Sequence, residues 1–194
     1  MRQTCLLLIA ATLTLASTSG QEPKPRRPDP PKVERTEVRG QWRFPNDTLI
    51  RIHGKVTVID AHTLRYEDGT EVDLNGAMDA PDPAQEGRID GKPYPAGEEA
   101  AEFLRKLIGD KPVTSYCGYD DGDWTTQKRF PKTDAFLGET CLNHEMMRSG
   151  WAMAHHTGMA PWEAIARENK RGIWRGEFIL PEKWRKGERL PGEE

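Results

Sequence analysis

Residues 54–82 read GKVTVIDAHTLRYEDGTEVDLNGAMDAPD, and the remainder of the chain is organised around them. Two runs with alternating apolar side chains, 63–67 and 70–74, flank the dipeptide Asp68-Gly69. Such alternation is typical of half-buried strands, and a two-residue Asp-Gly loop favours a type I′ turn. The stretch therefore predicts a β-hairpin, followed by the acidic loop Asp79-Ala80-Pro81-Asp82.

The N-terminal segment has the composition of an export signal. Arg2 precedes a mostly apolar run at 6–16, and small residues follow up to Gly20. The run of about 11 residues is too short for a bilayer, which needs roughly 20. We expect 1–20 to be a signal peptide that directs the protein to the periplasm or the medium. An uncleaved anchor is the alternative, and we expect no transmembrane segment in the mature chain.

Residues 21–41 are rich in Pro and charged side chains and poor in apolar ones. A segment of this composition cannot bury enough surface to offset its ordering entropy. We therefore expect a disordered linker over 21–41, one domain over 42–176, and a C-terminal tail over 177–194 that packs partly on the domain.

The chain after the hairpin alternates between polar loops and short regular elements. Residues 79–97 are rich in Pro, Gly and Asp, which predicts a long loop. Strands are predicted near 112–117 and 133–137, and helices at 143–149, with Asn143 as N-cap, and at 161–171. A further helix, capped by Gly109, is predicted by an apolar stripe at helical period: Ala100, Phe103, Leu104, Leu107 and Ile108.

Net charge and cysteine content place weaker limits on the function than the motifs do. The chain has 28 Lys and Arg against 31 Asp and Glu, a formal net charge of −3. Nucleic-acid binders usually carry a basic excess or a basic face, so this balance argues against tight non-specific duplex binding. Removal of Cys5 with the signal leaves Cys117 and Cys141, which form either one disulfide or two buried thiols.

Five motifs in order resemble the staphylococcal nuclease-like domain, also called the thermonuclease family. They extend over residues 48–174, most of the mature chain. The motifs are VIDAHTL (58–64); LNG (74–76) followed by DAPD (79–82); GKPYP (91–95) before the Ala-rich helix; LN (142–143) with SGWA (149–152); and Glu163, AR (166–167) and GIW (172–174). The tail is similar to that of exported bacterial members at Gly176-Glu177-Phe178, Pro181 and Trp184-Arg185.

The resemblance implies an α+β fold, a five-stranded OB-type β-barrel with three helices. It also implies calcium-dependent hydrolysis of DNA or RNA at a site formed by the hairpin and the acidic loop. In active members two aspartates and a backbone carbonyl hold calcium, a glutamate activates water, and two arginines bind the phosphate. This chemistry is coherent, because calcium takes oxygen ligands, the metal stabilises the attacked phosphate, and guanidinium groups match phosphate oxygens.

The metal-binding half of the implied site is altered in this chain. The resemblance assigns the metal to Asp79, to the backbone carbonyl of Ala80 and to His62, which stands where an aspartate is expected. Neutral imidazole prefers zinc, copper, iron or nickel to calcium. The water-activating glutamate is replaced by Asp82, whose shorter side chain holds its oxygens roughly 1 Å further back.

The phosphate-binding half is altered as well. The first phosphate arginine falls on Asp73, a reversal of charge. The loop between Leu74 and Asp79 is one residue longer than the family pattern, which leaves the register at Asp73 open by one residue. The second phosphate arginine matches Arg129, with Lys128 as the less favoured alternative. The catalytic residues that the resemblance implies are therefore Asp82 and Arg129.

These exchanges predict that hydrolysis is weak or lost and that the protein has a binding or accessory role. The family implies nucleic acid as the partner, whereas the acidic side chains favour a protein of the cell envelope; OB barrels bind either. Three alternatives stay open: an active secreted nuclease with calcium, a re-tooled site that holds zinc or manganese, and a purely structural role. The re-tooled site would use His62, Asp79, Asp82 and Asp73, and Trp124 is a candidate ligand contact.

Overall fold

The computed structural model describes residues 33–41, 44–76, 78–118, 127–131 and 133–193. The predicted signal peptide, the first part of the predicted linker (21–32) and Trp124 lie outside the described residues. Within the described ranges, no helix combines the length and apolar composition that a membrane span requires.

The described chain is a mixed α+β structure, which confirms the predicted class. It contains four α-helices: α1 (Ala96–Ile108), α2 (Leu142–Arg148), α3 (Ala160–Glu168) and α4 (Pro181–Arg185). Its strands are β1 (Glu34–Gln41), β2 (Phe44–Gly54), β3 (Val56–Val58), β4 (Thr63–Tyr66), β5 (Glu71–Asp73), β6 (Met78–Asp79), β7 (Gly87–Ile89), β8 (Lys92–Tyr94), β9 (Val113–Cys117), β10 (Arg129–Phe130), β11 (Thr133–Leu137), β12 (Thr140–Cys141), β13 (Met153–Ala154) and β14 (Glu177–Phe178).

These strands form separate sheets rather than one continuous sheet. The largest has the order β1-β2-β9-β11-β12, and a second has the order β10-β5-β4-β3. Two smaller sheets pair β13 with β6 and order β14-β7-β8. The described strands do not close on one another, so the predicted five-stranded OB-type barrel is not confirmed. The structure also has one helix more than the three that the resemblance implies, the short α4 in the tail.

Strand β1 lies inside the range that the composition assigns to a disordered linker. It pairs antiparallel with β2 from Glu34 opposite His53 onward, and the Arg35 guanidinium donates to the Asp68 carboxylate at 2.7 Å. Ordered structure therefore begins before residue 42. Composition misses this strand because pairing with β2, rather than burial of its own apolar side chains, holds it in place.

The hairpin of β4 and β5 is confirmed, but its turn is of another type. The Gly69 N–H donates to the Tyr66 carbonyl and the Tyr66 N–H to the Thr70 carbonyl. Gly69 has φ of 82° while Asp68 does not have a positive φ. A type I′ turn needs positive φ at both central residues, so this is a three-residue loop with Gly69 in the left-handed bulge position.

The predicted long loop over 79–97 instead contains a second hairpin. Strands β7 and β8 pair with Ile89 opposite Lys92, which leaves Asp90-Gly91 as the two-residue loop. Both residues have positive φ, 51° and 76°. The Asp-Gly rule for type I′ turns therefore holds here and not at Asp68-Gly69.

The predicted helices are present, with one error at a cap. Helix α1 buries Ala100, Leu104 and Ile108 and ends at Gly109, as its apolar stripe predicts. Helix α2 begins at Leu142, and Asn143 is not its N-cap. The Asn143 side chain is fully buried and instead bonds to β11 and to the carbonyl of Leu74, directly after β5.

One apolar core joins the sheets and the helices. Its fully buried side chains include Ile50, Ile52, Leu64, Tyr66, Val72, Leu74, Met78, Leu104, Leu142, Met146 and Met147. Cys117 and Cys141 are both buried as free thiols. Strands β9 and β12, which carry them, flank β11 on opposite sides. Two strand spacings amount to roughly 9.5 Å, more than a disulfide spans.

Candidate functional site

The β4–β5 hairpin brings together His62 and Asp73, two positions at which the resemblance implies other residues. Thr63 lies opposite Asp73 in the antiparallel ladder, and the Leu74 N–H donates to the carbonyl of His62 at 2.8 Å. His62 and Asp73 therefore stand side by side at the end of the hairpin. The acidic loop begins a few residues later, at β6.

His62 is held among carboxylates. Its Nδ1 lies 3.4 Å from Oδ1 of Asp73 and 3.5 Å from Oδ1 of Asp60. The Asp60 oxygen also accepts the backbone N–H groups of His62 and Thr63. Burial alone would lower the pKa of His62, but the contact with Asp73 and the charges of Asp60, Asp73 and Asp82 outweigh it, so the pKa is raised. The carboxylates of Asp60 and Asp73 therefore stabilise the protonated ring, and a proton on Nδ1 competes with a metal ion for that nitrogen.

Asp73 is the counter-charge of two cations. Besides His62, it has the Arg129 guanidinium 3.6 Å from Oδ2, and it accepts the backbone N–H of Asn75 at 2.9 Å. Burial would raise the pKa of Asp73, but these bonds and charges lower it. Asp73 is therefore a stable anion at the position where the resemblance implies an arginine.

Arg129 is positioned by the parallel pairing of β10 with β5, which sets it opposite Glu71. Its guanidinium lies 3.8 Å from Glu71 and 3.6 Å from Asp73, and its side chain is 64 % exposed. The resemblance implies two phosphate-binding arginines. Arg129 matches one of them, and it is paired with Asp73, which stands in the place of the other. Lys128 is turned elsewhere, toward the carbonyl of Asp68.

The acidic loop is held by backbone contacts on both sides. Strand β6 pairs with β13, which sets Asp79 opposite Met153. After the buried Ala80 the chain turns, and the Asp82 carbonyl accepts the N–H of Gln85 at 2.9 Å. Gly97, in the first turn of α1, lies so close that a Cβ there would be 1.9 Å from the same carbonyl oxygen. The position of Asp82 is therefore fixed by close backbone packing.

Both carboxylates of the acidic loop bind one side chain, Arg185 of α4. One guanidinium nitrogen donates to both carboxylate oxygens of Asp79, at 2.7 and 2.8 Å, and the other donates to Asp82 at 2.8 Å. Burial would lower the pKa of Arg185, but the bonds to Asp79 and Asp82 raise it. Sequence reasoning missed this residue as a site residue, although the Trp184-Arg185 pair belongs to the tail motif noted above.

Several contacts attach the tail that carries Arg185. Strand β14 pairs with β7, and the Gln85 side chain donates to the carbonyl of Ile179. Within the tail itself, the indole N–H of Trp184 in α4 donates to the Glu193 carboxylate at 2.7 Å, and the Arg189 guanidinium lies 4.1 Å from the Trp184 ring centre. The tail therefore returns to the acidic loop along a defined path.

A cleft of about 220 Å³ opens beside Asp79. It is lined by Asp79, Met153, Ala154, His155, Leu180 and Glu182. Nε2 of His155 lies 3.8 Å from the Asp79 carboxylate. The pairing of β13 with β6 brings His155, which directly follows β13, next to the site.

The predicted site residues therefore separate into two ion-paired groups. His62, Asp73 and Arg129 form one group. Asp79 and Asp82 form the other, together with Arg185, which was not predicted as a site residue; the Asp82 charge links the groups through its effect on the pKa of His62. Within the described part of the chain, no three His, Cys, Asp or Glu side chains are arranged as a metal site. Calcium does not fit this donor set, because Asp79 and Asp82 hold a guanidinium and His62 faces carboxylates.

Comparison with models of known protein families and with curated proteins gives no match. An assignment of function therefore rests on the contacts of this chain and on the motifs that its sequence contains.

Proposed function

We propose that this protein is an exported staphylococcal nuclease-like domain protein in which phosphodiester hydrolysis is weak or lost and which has a binding or accessory role. The proposal includes the five-stranded OB-type barrel and a periplasmic or secreted location. The five sequence motifs support the family. The hairpin of β4 and β5, followed directly by the acidic loop of Asp79 and Asp82, is consistent with that family's site.

The observation that carries the loss of hydrolysis is the binding of Arg185 to both Asp79 and Asp82. Calcium requires several oxygen ligands free to approach it at about 2.4 Å. Here the two loop carboxylates already have a cation, and the third position carries an imidazole in contact with Asp73. A general base in this place would also be engaged in a salt bridge rather than free to accept a proton.

The phosphate-binding side argues in the same direction. Asp73 places a stable negative charge where an attacked phosphodiester would need a guanidinium. The Arg129 guanidinium is already paired with Asp73 and Glu71. Loss of a single positioned donor for a developing negative charge costs about 10²- to 10³-fold in rate, and this site has exchanged both a metal ligand and a phosphate ligand.

The same charges favour a protein partner over nucleic acid. Around the hairpin end, the five carboxylates of Asp60, Glu71, Asp73, Asp79 and Asp82 slightly outnumber the four basic side chains, which are His62, Arg65, Arg129 and Arg185. A phosphate backbone would be repelled by this arrangement. A basic surface of an envelope protein would be attracted to it.

A cleavage assay tests the proposal. Supercoiled plasmid and single-stranded RNA are incubated with the purified protein and calcium, manganese, zinc or a chelator, beside Asp79→Ala and the exposed-site control Asp110→Ala. We expect no cleavage above the chelator level. Calcium-dependent cleavage that Asp79→Ala removes and Asp110→Ala keeps would overturn the proposal. Cleavage with zinc or manganese alone, lost in His62→Ala, would replace it by a re-tooled hydrolase.

A binding assay tests the partner class. Fluorescence anisotropy compares a labelled single-stranded oligonucleotide with a Lys- and Arg-rich peptide at about 0.15 M salt, where the screening length is about 8 Å. We expect the peptide to bind and the oligonucleotide not to. Asp73→Asn should weaken peptide binding more than Asp110→Asn, and preferential oligonucleotide binding would contradict the proposed partner.

A further inference from the structure

Arg185 makes contacts with the acidic loop that resemble those of a bound cation. It approaches Asp79 through both carboxylate oxygens and Asp82 through one, all at 2.7 to 2.8 Å. The Asp79 side chain is only 7 % exposed, whereas that of Arg185 is 38 % exposed. A buried carboxylate without a counter-charge is strongly unfavourable. Asp79 therefore requires a cation, and in this structure the chain supplies it from its own C-terminal segment.

The segment that delivers Arg185, residues 177–193, is here called the C-terminal strap. Its start is fixed by the pairing of Glu177 with Arg88 in β7. Its end folds back, since the Trp184 indole donates to Glu193 and Leu190 is buried. The contact of Arg185 with the acidic loop lies between the pairing of Glu177 and this internal fold-back. The strap therefore presents one guanidinium at a defined place.

We propose that Arg185 is the resident cation of the Asp79–Asp82 pair, so that docking of the C-terminal strap and binding of a divalent cation at this pair exclude each other. The strap is then an autoinhibitory clasp that keeps the acidic loop closed to metal ions. This inference does not depend on the proposed loss of hydrolysis, because it concerns the occupancy of the two carboxylates and not a reaction.

Thermodynamic linkage gives the proposal its measurable form. A guanidinium held on the same chain competes at an effective concentration on the order of mM or higher. A free divalent cation must therefore displace a pre-positioned competitor. The coupling is reciprocal. If docking of the strap lowers the affinity for the cation by some factor, binding of the cation lowers the equilibrium constant for strap docking by the same factor.

The first experiment measures cation affinity directly. Manganese binding to the full chain is followed by electron paramagnetic resonance for the wild type, Arg185→Gln and Lys183→Gln. Lys183 lies in the same helix and loses the same charge, but it pairs with Glu188 at 3.7 Å and not with the acidic loop. We expect Arg185→Gln to bind manganese at least about tenfold more tightly than the wild type. We expect Lys183→Gln to match the wild type. Asp79→Asn added to Arg185→Gln should remove the gain in manganese affinity.

The second experiment needs no variant of the site. Limited digestion with a Glu-specific protease reports on the strap, whose sites Glu177, Glu182 and Glu188 are present in the wild type. Millimolar manganese should accelerate cleavage within the strap of the wild type, and Arg185→Gln should be cleaved rapidly without it. Removal of the manganese with a chelator should restore protection of the strap in the wild type.

The outcomes separate clearly. Tighter manganese binding in Arg185→Gln together with strap cleavage supports the proposal. An unchanged affinity, an equal gain in Lys183→Gln, or a strap whose cleavage ignores manganese would overturn it. Neither readout uses nuclease activity, so a protein that proves to be an active nuclease would refute the proposed function while leaving this test intact.

Discussion

Nδ1 of His62 lies 3.4 Å from Oδ1 of Asp73, so two of the exchanged positions of the implied nuclease site contact each other. The β4–β5 ladder causes this contact, since it sets Thr63 opposite Asp73. Where the resemblance implies an aspartate and an arginine, the chain has a histidine and an aspartate. The two positions thus keep one basic and one acidic side chain, with their places exchanged.

The first prediction concerns the titration of His62. Its pKa is raised by Asp73 and by the nearby charges of Asp60 and Asp82, against the effect of burial. Asp73→Asn removes both a contact and a charge, so the pKa of His62 should fall. The measurement is the pH dependence of the imidazole NMR signals. Asp110→Asn serves as the control, and an unchanged His62 titration in Asp73→Asn would contradict the assigned cause.

The second prediction follows from the sign of the same shift. A raised pKa in the folded state means that protonated His62 stabilises the protein fully below its unfolded-state pKa of about 6.5. That contribution is lost as the pH rises through the folded-state pKa. The difference in unfolding free energy between the wild type and His62→Gln should therefore shrink as the pH rises from about 6.5 through the folded-state pKa. Urea unfolding at several pH values measures it, and a difference that grows with pH would be the contrary result.

The third prediction concerns the packing of Gly97 on the acidic loop. A Cβ at this position would meet the Asp82 carbonyl oxygen at 1.9 Å and the Pro83 Cα at 2.9 Å, both rigid backbone atoms. Gly97→Ala should cost about 3 kcal/mol of unfolding free energy. Gly158→Ala, where no atom lies within 4 Å, should change it by no more than about 0.5 kcal/mol. Chemical denaturation of both variants gives the comparison.

The fourth prediction concerns Asn143, which joins α2 to strand β11 and to the end of the β4–β5 hairpin. Its amide donates to the carbonyls of Leu74 and Thr133 at 3.0 and 3.1 Å, and its oxygen accepts the N–H of Ala135 at 3.1 Å. Asn143→Ala leaves these buried groups unpaired and should cost about 3 kcal/mol. Asn169→Ala, which removes one exposed bond to Ile165, should cost about 0.5 kcal/mol. Equal costs in urea unfolding would argue against the buried bonds.

The fifth prediction concerns the thiols. Burial raises the pKa of Cys117 to about 12, against a hydrogen bond from Thr133 that lowers it. A buried, protonated thiol reacts slowly, because the thiolate is the nucleophile. In a Cys5→Ser chain, Cys117 and Cys141 should react with a thiol reagent only on unfolding, and a reductant should leave the melting temperature unchanged. A melting temperature lowered by reductant would indicate a disulfide.

Local pattern was sufficient for the elements with a clear period. The alternation of Leu64, Tyr66, Val72 and Leu74 predicted the hairpin, and the stripe of α1 predicted its buried face. The turn type could not be read from Asp68-Gly69, because an identical dipeptide at Asp90-Gly91 forms the other turn. The pairing of the flanking strands decides how many residues the loop contains, and this is not a property of the dipeptide.

The same division between sequence and tertiary structure applies to the candidate site. The sequence alone determined which side chains stand at the positions that the resemblance assigns to metal and phosphate, and that two of these are a histidine, His62, and an aspartate, Asp73. Only the tertiary structure decided what those side chains bind. Arg185 lies 106 residues beyond Asp79 in the chain, and the pairing of β14 with β7 brings it back to the acidic loop. A charge on a distant segment has no local signature, because its partner is chosen by the path of the chain between them.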